Sequence, residues 1–197
     1  MQKCIRKMFV GAALVAICAT PALAADQFVP GKIMIVKPGT LAKVIAKGTF
    51  VLPAGADDPT TAGGSLVIRD LGNPSNGNTY NLPVAGWKGL GNPAGTKGFK
   101  YKGAGSGSDP CKVVLIKEKI VKAVCKGTGV TLTTPVTAQP AEVAVNLSVG
   151  TGTSYCAEFG GTEIKNTSTL LKRKDATTLP SACSSPSGAF LDTDLLF

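Results

Sequence analysis

"DPCKVVLIKEKIVKAVCKG", residues 109–127, sets two cysteines, Cys111 and Cys125, at the ends of an apolar run broken by lysines. Paired cysteines in such a run serve a metal site, a redox couple or a structural disulfide. Zinc needs clustered close pairs of cysteines or added histidines, and neither is present. A redox couple usually shows Cys-x-x-Cys, also absent. The reading that fits is a staple across a β-hairpin. Pairing Cys111 with Cys125 sets Val113 opposite Ala123 and Leu115 opposite Val121, around a three-residue turn at Lys117, Glu118 and Lys119. One face of that hairpin is wholly apolar, while the other mixes Lys112 and Lys122 with Val114, Ile116, Ile120 and Val124. Closing so short a loop stabilises by about 3 kcal/mol on the chain-entropy model.

The same hairpin is expected a second time. "KIMIVKPGTLAKVIAKGTFV" (32–51) lies over "KVVLIKEKIVKAVCKGTGV" (112–130) with one residue deleted at the turn. Lys32, Lys37, Lys43, Lys47 and Gly48 then match Lys112, Lys117, Lys122, Lys126 and Gly127, while Gly31 and Ala46 stand where the cysteines are. Further on, Tyr80 falls opposite Tyr155, and "FKYKGAGSGSDPC" (99–111) opposite "LKRKDATTLPSAC" (171–183). Ordered matches of this kind are the signature of an internal duplication. The expected copies are residues 25–111 and 112–183, followed by a C-terminal tail, 184–197. Each copy is marginal alone, so the halves are expected to share a core in one sandwich or in two packed small sandwiches.

Fold class follows from the punctuation. The chain has 24 Gly and 13 Pro in 197 residues, with short segments rich in Val, Ile and Thr between them. No long run has the 3.6-residue period of a helix, which argues for an all-β, antiparallel fold. Strands are expected at 32–37, 41–47, 49–52, 65–71, 79–85, 98–102, 112–117, 119–126, 129–134, 142–149, 154–159 and 169–174. "GNPSNGN" and "GAGSGSDP" read as linkers.

The opening "MQKCIRKMFVGAALVAICATPALA" carries basic residues, an apolar core and a small-x-small end, which reads as a secretory signal peptide cleaved after Ala24. The expected location is secreted or periplasmic, with no transmembrane helix in the mature chain. Cys4 and Cys18 leave with the signal, so Cys111, Cys125, Cys156 and Cys183 remain in an oxidising setting. Four cysteines allow three pairings. With Cys111 bound to Cys125, the second bond joins Cys156 to Cys183.

Cleavage also leaves 18 basic against 12 acidic residues, a net charge of +6. The lysines are spread as singletons, the pattern of solvated strand faces rather than of a nucleic-acid stripe. An acidic glycan or another anionic cell-surface component is the partner this charge suits. The chain has no histidine. Ser-His-Asp and Cys-His mechanisms are thereby excluded, and catalytic zinc, which leans on imidazole ligands, is improbable; no metal or cofactor is expected. Carboxylate chemistry of the glycosidase kind survives that exclusion and draws on Asp57, Asp58, Asp70, Glu142, Glu158 and Glu163, none singled out by its surroundings. Asp57-Asp58-Pro59 reads as a turn start, with calcium binding as the functional alternative. Tyr80, Trp87, Phe99 and Tyr101 offer either sugar-stacking faces on a surface groove or core aromatics. The aromatic C-terminus, "GAFLDTDLLF", admits a third architecture, a small outer-membrane barrel.

The segments "GWKGLG", "GFKYKG" and "YCAEFGG" resemble uncharacterised secreted all-β bacterial proteins, a resemblance that carries over no activity and no functional residues. The expectation is an exported, non-enzymatic structural or binding protein, with an extracellular carboxylate-based glycan hydrolase as the alternative.

Overall fold

The computed structural model describes residues 26–136 and 143–176. The expected signal peptide, Cys183, Glu142 and the C-terminal tail lie outside them. The fold is all-β, sandwich-like, in two sheets of antiparallel strands joined by one parallel pair at an edge.

The smaller sheet has the order β1 (Asp26–Phe28), β11 (Thr153–Glu158), β10 (Val143–Val149), β4 (Gly64–Asp70), β5 (Asn73–Leu82). The larger one runs β12 (Thr162–Thr167), β13 (Leu170–Lys174), β2 (Gly31–Lys37), β3 (Leu41–Lys47), β9 (Ile120–Lys126), β8 (Cys111–Lys117), β7 (Phe99–Tyr101), β6 (Trp87–Gly89). Among the described residues that sheet ends on β12 at one edge and β6 at the other, so it is open there. Buried side chains from both sheets make a single core, including Met34, Val44, Leu66, Tyr80, Tyr101, Ile116 and Leu147.

The hairpin of β8 and β9 forms, and Cys111 is bonded to Cys125. Its register differs from the expected one. Val113 faces Val124, Val114 faces Ala123 and Ile116 faces Val121, around a two-residue turn at Glu118 and Lys119. A bulge at Lys112 lets both constraints hold, because one extra residue on β8 brings Cys111 back opposite Cys125. It also exchanges the faces of the first strand: Val114 and Ile116 are buried, whereas Val113 and Leu115 are half-exposed. Glu118 takes up the tight reversal with φ of 39°, a conformation an L-residue adopts at some cost.

β2 and β3 repeat this construction. The bulge falls at Lys32, Gly31 faces Ala46, and the two hairpins share the same residue-by-residue burial. Pro38, Gly39 and Thr40 form the longer turn, with Gly39 at φ of 68°. No staple fits here: a Cβ at Gly31 would stand 2.7 Å from the Phe159 ring and 2.8 Å from the Glu158 carbonyl. The aromatic ring fills space that in β8 belongs to the disulfide.

Segments 49–52 and 129–134, expected as strands, leave the sheets instead. Their backbones are held by amide side chains rather than by a ladder. Val51 N–H donates to Gln27 Oε1 at 2.6 Å, Thr131 and Leu132 N–H groups donate to Asn78 Oδ1 at 2.9 Å each, and Thr133 N–H donates to Asn76 Oδ1 at 2.8 Å. Val130 and Leu132 are carried into the core as a result. β5 takes in the stretch expected as a "GNPSNGN" linker, and β1, β6 and β12 are strands too short or too polar to announce themselves.

Candidate functional site

The period of two decides what the larger sheet shows to solvent. On β2 and β3 the residues alternating with the core are Ile33, Ile35, Lys37, then Leu41, Lys43, Ile45, Lys47. On β9 and β8 they are Ile120, Lys122, Val124, Lys126, then Val113, Leu115, Lys117. β13 adds Lys172 and Lys174, β12 adds Lys165, β7 adds Lys100 and β6 adds Lys88. No Asp or Glu occupies an outward position on β2, β3, β6, β7, β8, β9 or β13. The result is a broad face of aliphatic side chains with lysines set among them.

Register fixes how these lysines are spaced. Lys165 lies directly opposite Lys172, and Lys88 directly opposite Lys100. Like charges so placed repel, by a few tenths of a kcal/mol up to about 1 kcal/mol per pair. Among the described residues none of these four is in an ion pair; the ion pairs there are the exposed Lys32–Asp175 at 3.7 Å and Arg173–Glu163 at 2.8 Å. Lys43, Lys100, Lys122 and Lys172 are half-buried. Their methylene stems lie along the aliphatic surface while the ammonium groups reach water.

The acidic residues are engaged elsewhere. Asp58 caps the short helix α1 (Pro59–Ala62), accepting from Thr60 N–H at 2.7 Å, and its backbone is extended before Pro59. Asp57 accepts from Thr151 N–H at 3.1 Å and Thr153 Oγ1 at 2.6 Å. Desolvation pushes its carboxyl up, and these hydrogen bonds outweigh it and hold the pKa below the ordinary value. Asp70 is buried and accepts from Gly72 N–H and Asn76 Nδ2. Asp109 accepts from the Tyr101 hydroxyl at 2.9 Å and Ala104 N–H at 2.7 Å. Glu163 holds the buried Arg173, and Glu158 is itself fully buried. Two clefts mark the smaller sheet, the larger about 420 Å³ beside Gly63, Ser65 and Asn81, and no carboxylate lines either. Among the described residues no three His, Cys, Asp or Glu side chains cluster as metal ligands.

The aromatic groove is corrected outright. Tyr80, Trp87, Phe99 and Tyr101 are at most 5 % exposed and face the core. Trp87 donates its indole N–H to the Leu82 carbonyl at 3.1 Å and meets Tyr101 edge-on. Three of the four sit on inward positions of β6 and β7, the same strands whose outward residues are Lys88 and Lys100. In "GWKG" and "FKY" strand alternation points the lysine outward wherever it buries the neighbouring aromatics.

Cys156 is disulfide-bonded, and Cys183, its expected partner, lies outside the described residues. The Cys111–Cys125 bond is compatible with an extracellular or periplasmic location. Among the described residues no helix is long and apolar enough to cross a membrane. Comparison with protein-family models, with curated proteins and with solved structures finds no match to this chain.

Proposed function

We propose that the chain is an exported, non-enzymatic binding protein that holds an acidic glycan against the outward face of its larger sheet. The observation that carries this is the basic face itself: lysines on every strand from β12 to β6, two directly opposed lysine pairs, and no acid on the outward positions of the seven strands from β13 to β6. A surface that keeps like charges side by side is suited to a ligand that neutralises them. Glycan is favoured over lipid or nucleic acid by what the face lacks. Among the described residues the large exposed apolar side chains, Val51, Val84 and Ile164, lie off its centre, and the aliphatic residues on the face are half-buried between lysines rather than projecting. Its aromatic rings point inward, so it has no platform on which bases stack.

The proposed architecture is one sandwich made of two tandem copies. Several registers support it. Val44 faces Ala123 and Val67 faces Asn146, each residue opposite its own counterpart, which is what a local two-fold axis through both sheets requires. Gly48 N–H donates to the Lys119 carbonyl while Gly127 N–H donates to the Thr40 carbonyl, a reciprocal pair under the same axis. Phe99, Lys100 and Tyr101 face Ile116, Leu115 and Val114, as Leu171, Lys172 and Arg173 face Val36, Ile35 and Met34. Each copy's last hairpin thus completes the other copy's first. Cys111, matching Gly31, belongs at the head of the second copy rather than the end of the first. Tyr80 and Tyr155 are not counterparts in this scheme, since Tyr80 faces Leu66 while Tyr155 faces Leu147.

Immobilised heparin tests the binding reading. Retention at low salt and release as salt rises are expected. Lys43→Gln with Lys122→Gln should elute earlier than Lys97→Gln with Lys119→Gln, which remove the same charge from exposed loop and turn positions. Equal elution of the two variants, or no retention at low salt, overturns the proposal. Sedimentation with anionic vesicles without heparin retention would assign the face to lipid instead.

A further inference from the structure

We infer that the basic face carries two equivalent anion sites, each a row of Lys, Lys, aliphatic and Lys across four neighbouring strands, built to hold a repeating polyanion at two points. This rests on the glycan-binding reading and specifies it. In the first row Lys165 faces Lys172, Lys172 faces Ile35, and Ile35 faces Lys43. In the second, Lys88 faces Lys100, Lys100 faces Leu115, and Leu115 faces Lys122. The order of residue types is the same strand for strand, although β12–β13 and β6–β7 occupy opposite edges of the sheet.

Two observations argue that the rows are built rather than incidental. First, counted out from the turn, where Thr167 faces Leu170, Lys165 meets Lys172 in regular register, and the bulge that follows between Glu163 and Lys165 sets Glu163 opposite the core-facing Arg173. Without that bulge Glu163 would stand outward opposite Lys174, an acid beside the Lys165–Lys172 pair. Second, none of the six lysines of the two rows has an ion-pair partner among the described residues, the directly opposed pairs included. A single unneutralised pair is an accident of a lysine-rich surface. Its recurrence at the counterpart position is a shared requirement for an anion.

Geometry then sets the ligand class. The two outer pairs are six strand steps apart, about 29 Å at about 4.8 Å per step. Ile45 and Ile33 continue the second row's line past Lys122, and Val124 and Val113 the first row's past Lys43, an apolar floor along which the two rows overlap at the centre of the sheet. The occupant is an extended chain with acidic groups along its length, carboxylated or sulfated, rather than a compact dianion. Short fragments occupy one row each, and a chain long enough to bridge gains the effective-concentration advantage of a second, tethered contact.

Calorimetric titration with a heparin tetrasaccharide and with full-length heparin tests this on the whole mature chain. Expected are two tetrasaccharides bound per wild-type molecule with matching affinity. Either triple variant, Lys43, Lys165 and Lys172→Gln or Lys88, Lys100 and Lys122→Gln, should bind one tetrasaccharide. Each should also lose about tenfold or more in affinity for full-length heparin. The thermal midpoints of both variants, equal to or above that of the wild type, show that the sheet is intact. One tetrasaccharide per wild-type molecule, or abolition by one variant and no effect of the other, overturns the two-site inference and leaves the glycan reading standing. A wild-type chain that binds neither ligand removes both.

Discussion

Removing the staple is the sharpest test of how the second hairpin is held. In Cys111→Ala with Cys125→Ala, a bond spanning 14 positions is lost. A loop of that size restricts the unfolded chain by about 3 kcal/mol at room temperature. Both side chains are fully buried, so truncation also strips packed sulfur from the core, adding about 1 to 2 kcal/mol. The sum is about 4 to 5 kcal/mol, which for a chain of this length lowers the melting temperature by roughly 10 to 15 °C. Urea unfolding followed by far-ultraviolet dichroism measures it. Mutation is preferable to a reducing agent, because Cys156 is also disulfide-bonded and would be opened at the same time. Comparison with the unstapled hairpin of β2 and β3 sharpens the expectation, since that hairpin keeps the same bulge and burial with Gly31 and Ala46 in place of the bond. There the Phe159 ring packs where the disulfide would be. A loss below about 1 kcal/mol would refute the reasoning, by showing that the bond adds little to a hairpin its core contacts already hold.

Gly31→Ala should cost about 1 to 3 kcal/mol in the same urea assay, because the new methyl meets the Phe159 ring and the Glu158 carbonyl, both fully buried and unable to withdraw; an unchanged midpoint would show that β2 has slack there. The chain's three tyrosines, Tyr80, Tyr101 and Tyr155, all have hydroxyls pushed above the ordinary value of 10.0, chiefly by desolvation, Tyr101 to about 12 with Asp109 adding to it. Since the folded state holds these protons more tightly than the unfolded one, stability is intact below about pH 10 and falls as pH climbs toward 12, so phenolate absorbance at 295 nm should rise only with unfolding. A smooth titration centred on pH 10 in the folded chain would contradict the burial.

The hairpins were legible because their physics is local. Alternation of apolar and lysine residues placed β2, β3, β8 and β9 within a residue of where they lie, and it placed the Cys111–Cys125 bond. The register inside β8 was not legible, since a bulge adds one residue without any marker: Lys112 is as good a strand residue as its neighbours. Segments 49–52 and 129–134 misled for a related reason. Their apolar content is real and is used, but as core filler strung past Gln27, Asn76 and Asn78, whose amides supply the hydrogen bonds a sheet would have given. Sequence shows that a backbone needs partners and not whether a neighbour strand or a side-chain amide provides them.

The basic face was hidden more thoroughly, and the reason lies in how a sheet collects residues. Along the chain Lys43, Lys100 and Lys122 are isolated charges, many residues apart, each flanked by apolar neighbours, while Lys172 opens the short run Lys172-Arg173-Lys174. Read one strand at a time, each is the solvated position of an amphipathic segment. Pairing changes that, because every core-facing neighbour fixes its lysine on the opposite side, and eight strands laid edge to edge put all those opposite sides on one surface. The acids escape the same fate by position: Asp57, Asp58, Asp70 and Asp109 sit at strand ends, caps and loops, where alternation does not act. A modest net charge thus becomes a one-sided field through topology alone. The acid on β12 that regular alternation would have set outward among these lysines is Glu163, and there a bulge carries it opposite the buried Arg173 instead. A surface that arose only as a by-product of core patterning would not need that correction, which is why the lysine rows are the feature on which a function for this fold is best tested.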